Sequence, residues 1–362
     1  MEMKVADMHC DTISRLLELE EDGKAEGLRE NGGHLDLLRM KEGGYLLQNF
    51  ALFVELGRDG DPWERVCRLY ELYRRELEQN SDLIAPVLRF EDIQKNSAAG
   101  KLSAMLTVEE GGVCGGDINR LRRLYDMGVR MLTLTWNFPN ELGNPNFLSE
   151  LGYTLLKMKK ELQECREGTP EYEVRKAGLQ SAFEARFHTP EEEKGLTEKG
   201  KAFVVEMERL GMIPDVSHLS DAGFYDVLAS TKKPFAASHS DARAVCPYVR
   251  NLTDDMIRRL GERGGVMGLN YCADFLEEVP VLEKNPGTVA AVVRHARHIA
   301  DVGGIEVLGL GSDFDGIDTH EELPGAQSME RLWEELHRAG FTEGQLDKIF
   351  YENVLRLYRD TL

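Results

Sequence analysis

The feature that most constrains the fold is a regular alternation of short apolar runs with longer stretches of helical periodicity. This alternation is typical of βα repeats on a parallel sheet, and eight such runs are the number that a closed barrel needs. We therefore predict an α/β fold, a (β/α)8 TIM-type barrel, as a single domain over residues 1–362. The predicted strands are Lys4–His9, Tyr45–Val54, Ser103–Val108, Met131–Thr135, Met212–Ser217, Phe235–Ser238, Gly265–Asn270 and Val307–Gly311.

One segment interrupts this alternation. Residues 148–195 are charged, helix-prone and much longer than an ordinary βα connection, so they predict a helical insertion over one mouth of the barrel. A lid, a dimer contact and a solvated decoration without a role in chemistry all remain open for it. The C-terminal stretch 341–362 predicts an amphipathic helix packed on the outside of the barrel.

Charge and composition exclude several classes of protein. The formal net charge of −20 would repel phosphate backbones and anionic lipid surfaces, which argues against nucleic acid and membrane partners. No apolar run reaches the length of about 18 residues that a membrane span requires, and the first residues lack the pattern of a secretion signal. Six scattered cysteines without a CxxC pair indicate reduced thiols. Together these features predict a globular cytoplasmic protein.

Potential metal ligands follow the predicted strands. His9 and Asp11 are two residues apart, so on a strand both side chains can point to one place. In a closed barrel the carboxyl ends of all strands meet at one face, where residues distant in sequence converge. Taken individually, His218 and His239 could be buried histidines that are hydrogen-bonded in the core. However, candidate ligands follow several different strands: Glu109, His218, His239 and Asp313.

The residue types narrow the choice of metal. Imidazole and carboxylate ligands without clustered thiolates favour zinc, with manganese, cobalt or iron possible and calcium disfavoured. Three histidines with two or three carboxylates exceed the needs of one four-coordinate ion. We therefore predict two divalent metal ions that share a bridging carboxylate, for which Glu109 is the natural candidate.

Eight short motifs carry a resemblance to a known family. In chain order they are DMHCDT, LTVEEGG, GVRMLTLTWN, GLTEKGK, GMIPDVSHLS, SHSDAR, RNLTDD and GLGSDFDG, between residues 7 and 316. This set resembles the membrane (renal) dipeptidase family, peptidase family M19. The resemblance implies a barrel of the metal-dependent hydrolase kind, usually a homodimer, which hydrolyses dipeptides and often accepts a D-residue at the carboxyl end.

The resemblance also implies roles for individual residues. His9 and Asp11 would bind one zinc ion, Glu109 would bridge both ions, and a pair of histidines, His218 and His239, would bind the second. Asp313 would then be the catalytic proton shuttle.

The implied substrate contact is Arg250, which lies eleven positions after His239 and is followed by an asparagine. It matches the family arginine that pairs with the free carboxylate of the dipeptide. A planar guanidinium can hold such a carboxylate through two parallel hydrogen bonds, which would explain a restriction to dipeptides.

Two positions are ambiguous or depart from the family. The sequence VEEGG offers two glutamates; family spacing favours Glu109, and strand alternation then turns Glu110 outward. Animal members have a histidine after LTLT, whereas this chain has Trp136 and Asn137. Either side chain could donate to the substrate, and a shifted substrate preference is equally compatible.

Other metal-dependent barrel hydrolases fit the sequence less well. Phosphotriesterase-like barrels and lactonases bridge their metals through a carboxylated lysine at the end of the fourth strand, where this chain reads TLTWN. A mononuclear deaminase is disfavoured by Glu109. Another binuclear amidohydrolase activity, on lactones or N-acyl amino acids, and a non-catalytic metal- or peptide-binding homologue remain as alternatives.

Overall fold

A parallel β-barrel forms the centre of the computed structural model, which describes residues 3–58, 60–280 and 282–362. Nine strands in these ranges form one sheet, with β2 also pairing β4, in the order β2-β1-β9-β8-β7-β6-β5-β4-β3. The strands are β1 (Val5–Asp7), β2 (Tyr45–Phe53), β3 (Ile84–Val87), β4 (Leu102–Glu109), β5 (Val129–Thr133), β6 (Ile213–Asp215), β7 (Ala236–Ala237), β8 (Val266–Leu269) and β9 (Leu308–Leu310).

The pairing of β2 with β4 closes the barrel. It runs in parallel register from Leu47 opposite Ser103 to Phe53 opposite Glu109. The remaining strand, β3, lies outside this closed set of eight and pairs only with the first half of β4. The predicted (β/α)8 TIM-type barrel is therefore confirmed, and its eight strands correspond to the eight predicted runs; β3 is a ninth strand that the sequence analysis did not include.

Helices surround the barrel. They are α1 (Thr12–Glu21), α2 (Leu37–Glu42), α3 (Pro62–Gln79), α4 (Phe90–Ala98), α5 (Ile118–Asp126), α6 (Ser149–Gln163), α7 (Pro170–Phe187), α8 (Glu198–Leu210), α9 (Asp221–Ser230), α10 (Asp254–Glu262), α11 (Ala273–Leu276), α12 (Val289–Gly303), α13 (Met329–Arg338), α14 (Glu343–Asp347) and α15 (Asn353–Thr361). Among the described residues, no helix has both the length and the apolar character needed to cross a membrane.

Hydroxyl side chains fix the starts of four helices around the second half of the barrel. The hydroxyl oxygens of Thr197, Ser220, Thr253 and Thr288 accept a hydrogen bond from the backbone N–H three residues later. Such N-caps satisfy a donor that the first helical turn leaves unpaired, and each contributes about 1 kcal/mol. The caps at Ser220 and Thr253 end the loops after β6 and β7, which carry several of the polar side chains described below.

The C-terminal helix α15 packs differently from the prediction. Its Leu357 and Tyr358 join a buried cluster with residues such as Leu47, Met105 and Ile213, which come from separate barrel strands. The Tyr358 hydroxyl donates to Oδ1 of Asn49 on β2 at 2.8 Å. The helix thus covers the amino-terminal end of the barrel, opposite the strand ends that carry the predicted ligands.

The predicted insertion contains the helices α6 and α7, which pack against each other. Leu155 and Leu162 of α6 and Leu179 and Phe183 of α7 form a separate apolar cluster, which also includes Tyr248 from the segment after β7. One face of the helical pair is therefore packed on the carboxyl-terminal side of the barrel.

A buried histidine on α12 predicts a pH-dependent stability. Nδ1 of His295 accepts from the backbone N–H of Ala242 at 3.0 Å, and Nε2 donates to the carbonyl oxygen of Leu276 at 2.9 Å. If Nδ1 were protonated, its N–H would face the backbone N–H of Ala242, and neither donor would have an acceptor. Burial lowers the pKa of His295 from 6.5 to about 4, against the opposing effect of the hydrogen bond to the Leu276 carbonyl.

As the pH decreases, the unfolded chain is protonated at this histidine before the folded chain is. The contribution of neutral His295 to the free energy of unfolding is therefore fully present above about pH 6.5 and falls as the pH decreases towards 4. Between about pH 7.5 and pH 5 the parent should lose about 2 kcal/mol more unfolding free energy than His295→Gln. Urea unfolding of both proteins with chelator present, at both pH values, measures this difference. Equal losses in the two proteins would show that His295 does not cause the pH dependence.

Candidate metal centre

The carboxyl ends of five barrel strands bring six predicted residues into one buried cluster. Glu109 is the last residue of β4, and the others lie two to four residues beyond the ends of β1, β6, β7 and β9. None is more than 7% exposed: His9, Asp11, Glu109, His218, His239 and Asp313. The convergence follows from the parallel closed barrel, in which all these strand ends share one face.

Three carboxylates surround the imidazole of His9. Its Nε2 lies 3.3 Å from Oδ2 of Asp11, 3.3 Å from Oε2 of Glu109 and 3.8 Å from Oδ1 of Asp313. Oδ1 of Asp11 is buried and has no hydrogen-bond partner among the described residues. This side of the cluster therefore concentrates negative charge and lone pairs at one point.

The second side of the cluster is built from two histidines. Oε1 of Glu109 lies 3.0 Å from Nε2 of His218 and 3.5 Å from Nε2 of His239, and the two Nε2 atoms are 3.0 Å apart. The two oxygens of the Glu109 carboxylate thus face different partners. Oε2 faces His9, and Oε1 faces the histidine pair.

Hydrogen bonds set the tautomers of this histidine pair. Nδ1 of His218 lies 2.9 Å from Oδ1 of Asn137, which can only accept, so Nδ1 carries the proton. Nδ1 of His239 lies 2.7 Å from Oγ of Ser238, whose own proton goes to Oδ2 of Asp215. Both Nε2 atoms are left with lone pairs that face each other, an arrangement that a cation between them would stabilise.

Burial and neighbouring charges shift the pKa values of the cluster residues. Burial raises the pKa of Glu109 to about 8 and that of Asp313 to about 6. Burial lowers the pKa of His218 and of His239 well below 6.5, which keeps both rings neutral. Burial would also lower the pKa of His9, but the charges of Glu109 and Asp11 raise it well above 6.5. Three histidines and three carboxylates are ligand types that suit divalent ions such as zinc.

A network beneath the histidine pair was not foreseen from the sequence. The carboxylate of Asp215 on β6 accepts from the hydroxyls of Thr133, Ser217 and Ser238 at 2.6–2.7 Å, and from the backbone N–H of Ser217 and Ser238. Through Ser238 this carboxylate orients His239. An aspartate within the apolar run MIPDV was the available signal, because a buried carboxylate requires several donors.

Glu110 lies apart from the cluster, although it is fully buried. Its carboxylate accepts from the backbone N–H of Gly112 at 2.6 Å, from that of Trp136 at 3.0 Å and from the side-chain amide of Asn140. Burial raises its pKa to about 7. Glu110 therefore ties the loop after β4 to the loop after β5, rather than facing solvent.

Arg250 reaches the cluster from the segment after β7 and is 2% exposed. Its guanidinium donates to Oγ of Ser240 at 2.9 Å and to the carbonyl oxygen of His239 at 2.8 Å, and it lies 3.1 Å from Nε2 of His218. Its Nε is buried and has no acceptor among the described residues. A fixed cation with a spare donor thus lies beside the histidine pair.

The remaining predicted contacts line a cavity of about 720 Å³ beside the cluster. Asn137 lies at its edge, and the Trp136 ring is 6.2 Å from that of His218 and packs edge-on against Phe53. Other walls come from α6 and α7, so the insertion borders this cavity. Its volume falls within the range of small-molecule sites, about 300–1,000 Å³.

Comparison with protein families gives one model that covers most of the chain. The model described as membrane dipeptidase, peptidase family M19, matches residues 1–149 and 173–361. The unmatched residues 150–172 contain most of α6 and the turn into α7.

Similar proteins have related descriptions. A solved dipeptidase described as a metallopeptidase of family M19 is 26% identical, with a TM-score of 0.82 over 100% of this chain and 99% of that one. A metallopeptidase from Rhodobacter sphaeroides, solved with a phosphinate mimic of L-Ala-D-Ala, is 25% identical with the same TM-score, over 100% of both chains. An uncharacterised dipeptidase of Schizosaccharomyces pombe is 28% identical over 99% of this chain and 80% of its own length.

Proposed function

This chain belongs to the membrane dipeptidase family, peptidase family M19, and from that premise we propose that it cleaves dipeptides with two divalent cations, preferably zinc, bound around Glu109. As a member it is a metallo-dipeptidase, a hydrolase of peptide bonds. The observation that supports the two-ion proposal is the Glu109 carboxylate, whose two oxygens face two separate groups of side chains that could bind metal.

The proposed ligand sets follow from these contacts. His9 and Asp11 would hold one ion, His218 and His239 would hold the other, and Glu109 would contribute one oxygen to each. When bound, the ions would supply Lewis acidity towards the scissile carbonyl and lower the pKa of water towards neutrality.

Asp313 is the proposed carrier of the proton. Its Oδ2 accepts from the side-chain amide of Asn270 at 2.9 Å, which holds the carboxylate in place, while Oδ1 points to the cluster. In this role Asp313 accepts a proton from the attacking water and donates it to the departing amine, so that the amide bond breaks and two amino acids leave.

Arg250 and the two residues after β5 are the proposed substrate contacts. Arg250 would bind the free carboxylate of the dipeptide, since its guanidinium is fixed beside His218. Asn137 gives its oxygen to His218, and its amide nitrogen makes no hydrogen bond to the described residues, which leaves two donors for the scissile carbonyl oxygen. Trp136 would supply an aromatic wall of the substrate pocket.

The proposal has further parts that rest on family membership. They are acceptance of a D-residue at the carboxyl end, a homodimer, and one hydrolase domain over residues 1–362 in which residues 148–195 form the insertion.

A dipeptide screen with and without chelator tests the function. We expect the zinc-loaded protein to hydrolyse some members of a library of L,L and L,D dipeptides, to lose this activity on chelation and to regain it with zinc. N-acyl amino acids and lactones serve as controls and should be poor substrates. Cleavage of those compounds alone would indicate another amidohydrolase activity, and metal binding without any turnover would indicate a binding protein.

A further inference from the structure

The cavity beside the metal centre extends beneath the insertion. Asn137 belongs both to the cavity wall and to the centre, because its oxygen holds Nδ1 of His218 at 2.9 Å. The cavity is also lined by Arg186 and Phe187 near the end of α7 and by Gly152 of α6. A molecule bound at the centre can therefore extend a side chain into this space.

The guanidinium of Arg186 is held in a built position within this wall. Its carbon lies 3.8 Å from the ring centre of Phe147 and 5.7 Å from that of Phe187, and one nitrogen donates to the carbonyl oxygen of Leu148. A Cβ on Gly152 would lie only 2.6–2.9 Å from three guanidinium atoms. The absence of a Cβ at Gly152 therefore leaves room for the arginine. Glycine within a helix costs about 1 kcal/mol relative to alanine.

The positive charge of Arg186 has no counterion in the described part of the chain. In that part of the chain, no carboxylate oxygen lies within 4.0 Å of a nitrogen of this guanidinium, the distance that defines an ion pair. Four carboxylates from these described residues line the cavity, and none of them forms an ion pair with Arg186: Glu55, Asp274, Glu283 and Asp318. Glu55 already pairs with Arg58 at 3.0 Å and accepts from the hydroxyl of Tyr153. Burial lowers the pKa of Arg186 to about 10, which reflects the cost of removing this cation from water without a partner.

We propose that Arg186 determines substrate specificity by binding the side-chain carboxylate of a dipeptide that contains aspartate or glutamate. This inference rests on the dipeptidase function proposed above. The forked donors of a guanidinium match both oxygens of a carboxylate, whereas a neutral amide of the same shape leaves the partly buried charge uncompensated.

Isosteric substrate pairs test the assignment. The zinc-loaded parent is assayed with Glu-Ala against Gln-Ala, and with Ala-Glu against Ala-Gln, the second pair with both L- and D-residues at the carboxyl end. In at least one pair we expect kcat/KM to favour glutamate over glutamine by about tenfold or more. In Arg186→Gln this ratio should fall to about one, and in Arg186→Lys, which keeps the charge but loses the fork, to an intermediate value.

Arg175 on the same helix offers a matched control. It forms ion pairs with Glu161 and Glu171 and lies outside the cavity, so Arg175→Gln removes the same charge from α7 and should keep the parent ratio. Gly152→Ala should reduce the ratio, because the added methyl displaces the guanidinium.

The outcomes separate the two proposals. A parent that hydrolyses dipeptides with a glutamate to glutamine ratio near one in every pair overturns the role of Arg186, even if the variants do not fold. A ratio that survives in Arg186→Gln also overturns it. A parent that hydrolyses no dipeptide overturns the dipeptidase function instead.

Discussion

Replacing Asp313 by asparagine is expected to lower kcat for dipeptide hydrolysis by about 10²–10⁴-fold while the protein keeps its metal. The amide cannot carry the proton between water and the leaving amine. Asparagine suits the position structurally, since Asp313 has a φ of 61° and asparagine tolerates the left-handed conformation. Its oxygen can still accept from Asn270. Steady-state kinetics and metal content by emission spectrometry measure the two quantities.

Asp315 is the matched control for this variant. It also has a positive φ, of 68°, but its carboxylate accepts from the hydroxyl of Thr12 and the backbone N–H of His34 outside the cluster. Asp315→Asn should keep kcat within about threefold of the parent, at some cost in stability. An Asp313→Asn protein with parental kcat would contradict the proton-shuttle role. Loss of metal from that variant would make Asp313 a ligand, in the group that it forms with His9 and Asp11.

Replacing Glu109 by glutamine should remove metal as well as activity. Glutamine offers one oxygen, so only one of the two ligand sets would keep its shared ligand, and an N–H donor would face Nε2 of either His9 or His218. We expect bound metal to fall from two ions to one or none per chain, and kcat/KM to fall by at least about 10²-fold. Metal titration followed by kinetics at saturating zinc measures both effects.

The neighbouring glutamate provides the control. In Glu110→Gln the new amide would oppose one of the donors from Gly112, Trp136 or Asn140, which should lower the free energy of unfolding by about 1–3 kcal/mol. The folded protein should still bind two ions. Equal metal loss in both variants would mean that the bridge assigned to Glu109 is wrong.

Most of the barrel could be predicted from the sequence because buried parallel strands appear as short, nearly continuous apolar runs. The strand Ile84–Val87 was not predicted, because it has only four residues, includes Pro86 and pairs on one side only. Amphipathic periodicity predicted that the C-terminal helix buries one face. It could not predict which surface that face meets, and Tyr358 in fact packs into the end of the barrel.

The candidate site could be predicted where topology alone brings residues together. His9, Glu109 and Asp313 follow different strands, and the closed barrel makes their positions converge whatever the loops do. Networks that depend on side-chain direction were out of reach. Asp215 acts through the hydroxyl of Thr133 on β5 and through hydroxyls just beyond the ends of β6 and β7. Glu110 has a φ of 106° and lies beyond the end of β4, so the alternation of that strand does not predict its direction. That the cluster binds metal remains a prediction.

The central claim is that one shared carboxylate holds two metal ions. Anomalous diffraction at the zinc edge from zinc-grown crystals of the parent tests this claim most directly. We predict two peaks per chain, about 3.5–4 Å apart, one beside His9 and Asp11 and the other beside His218 and His239, with Glu109 touching both. A single peak, or peaks away from these side chains, would contradict the account.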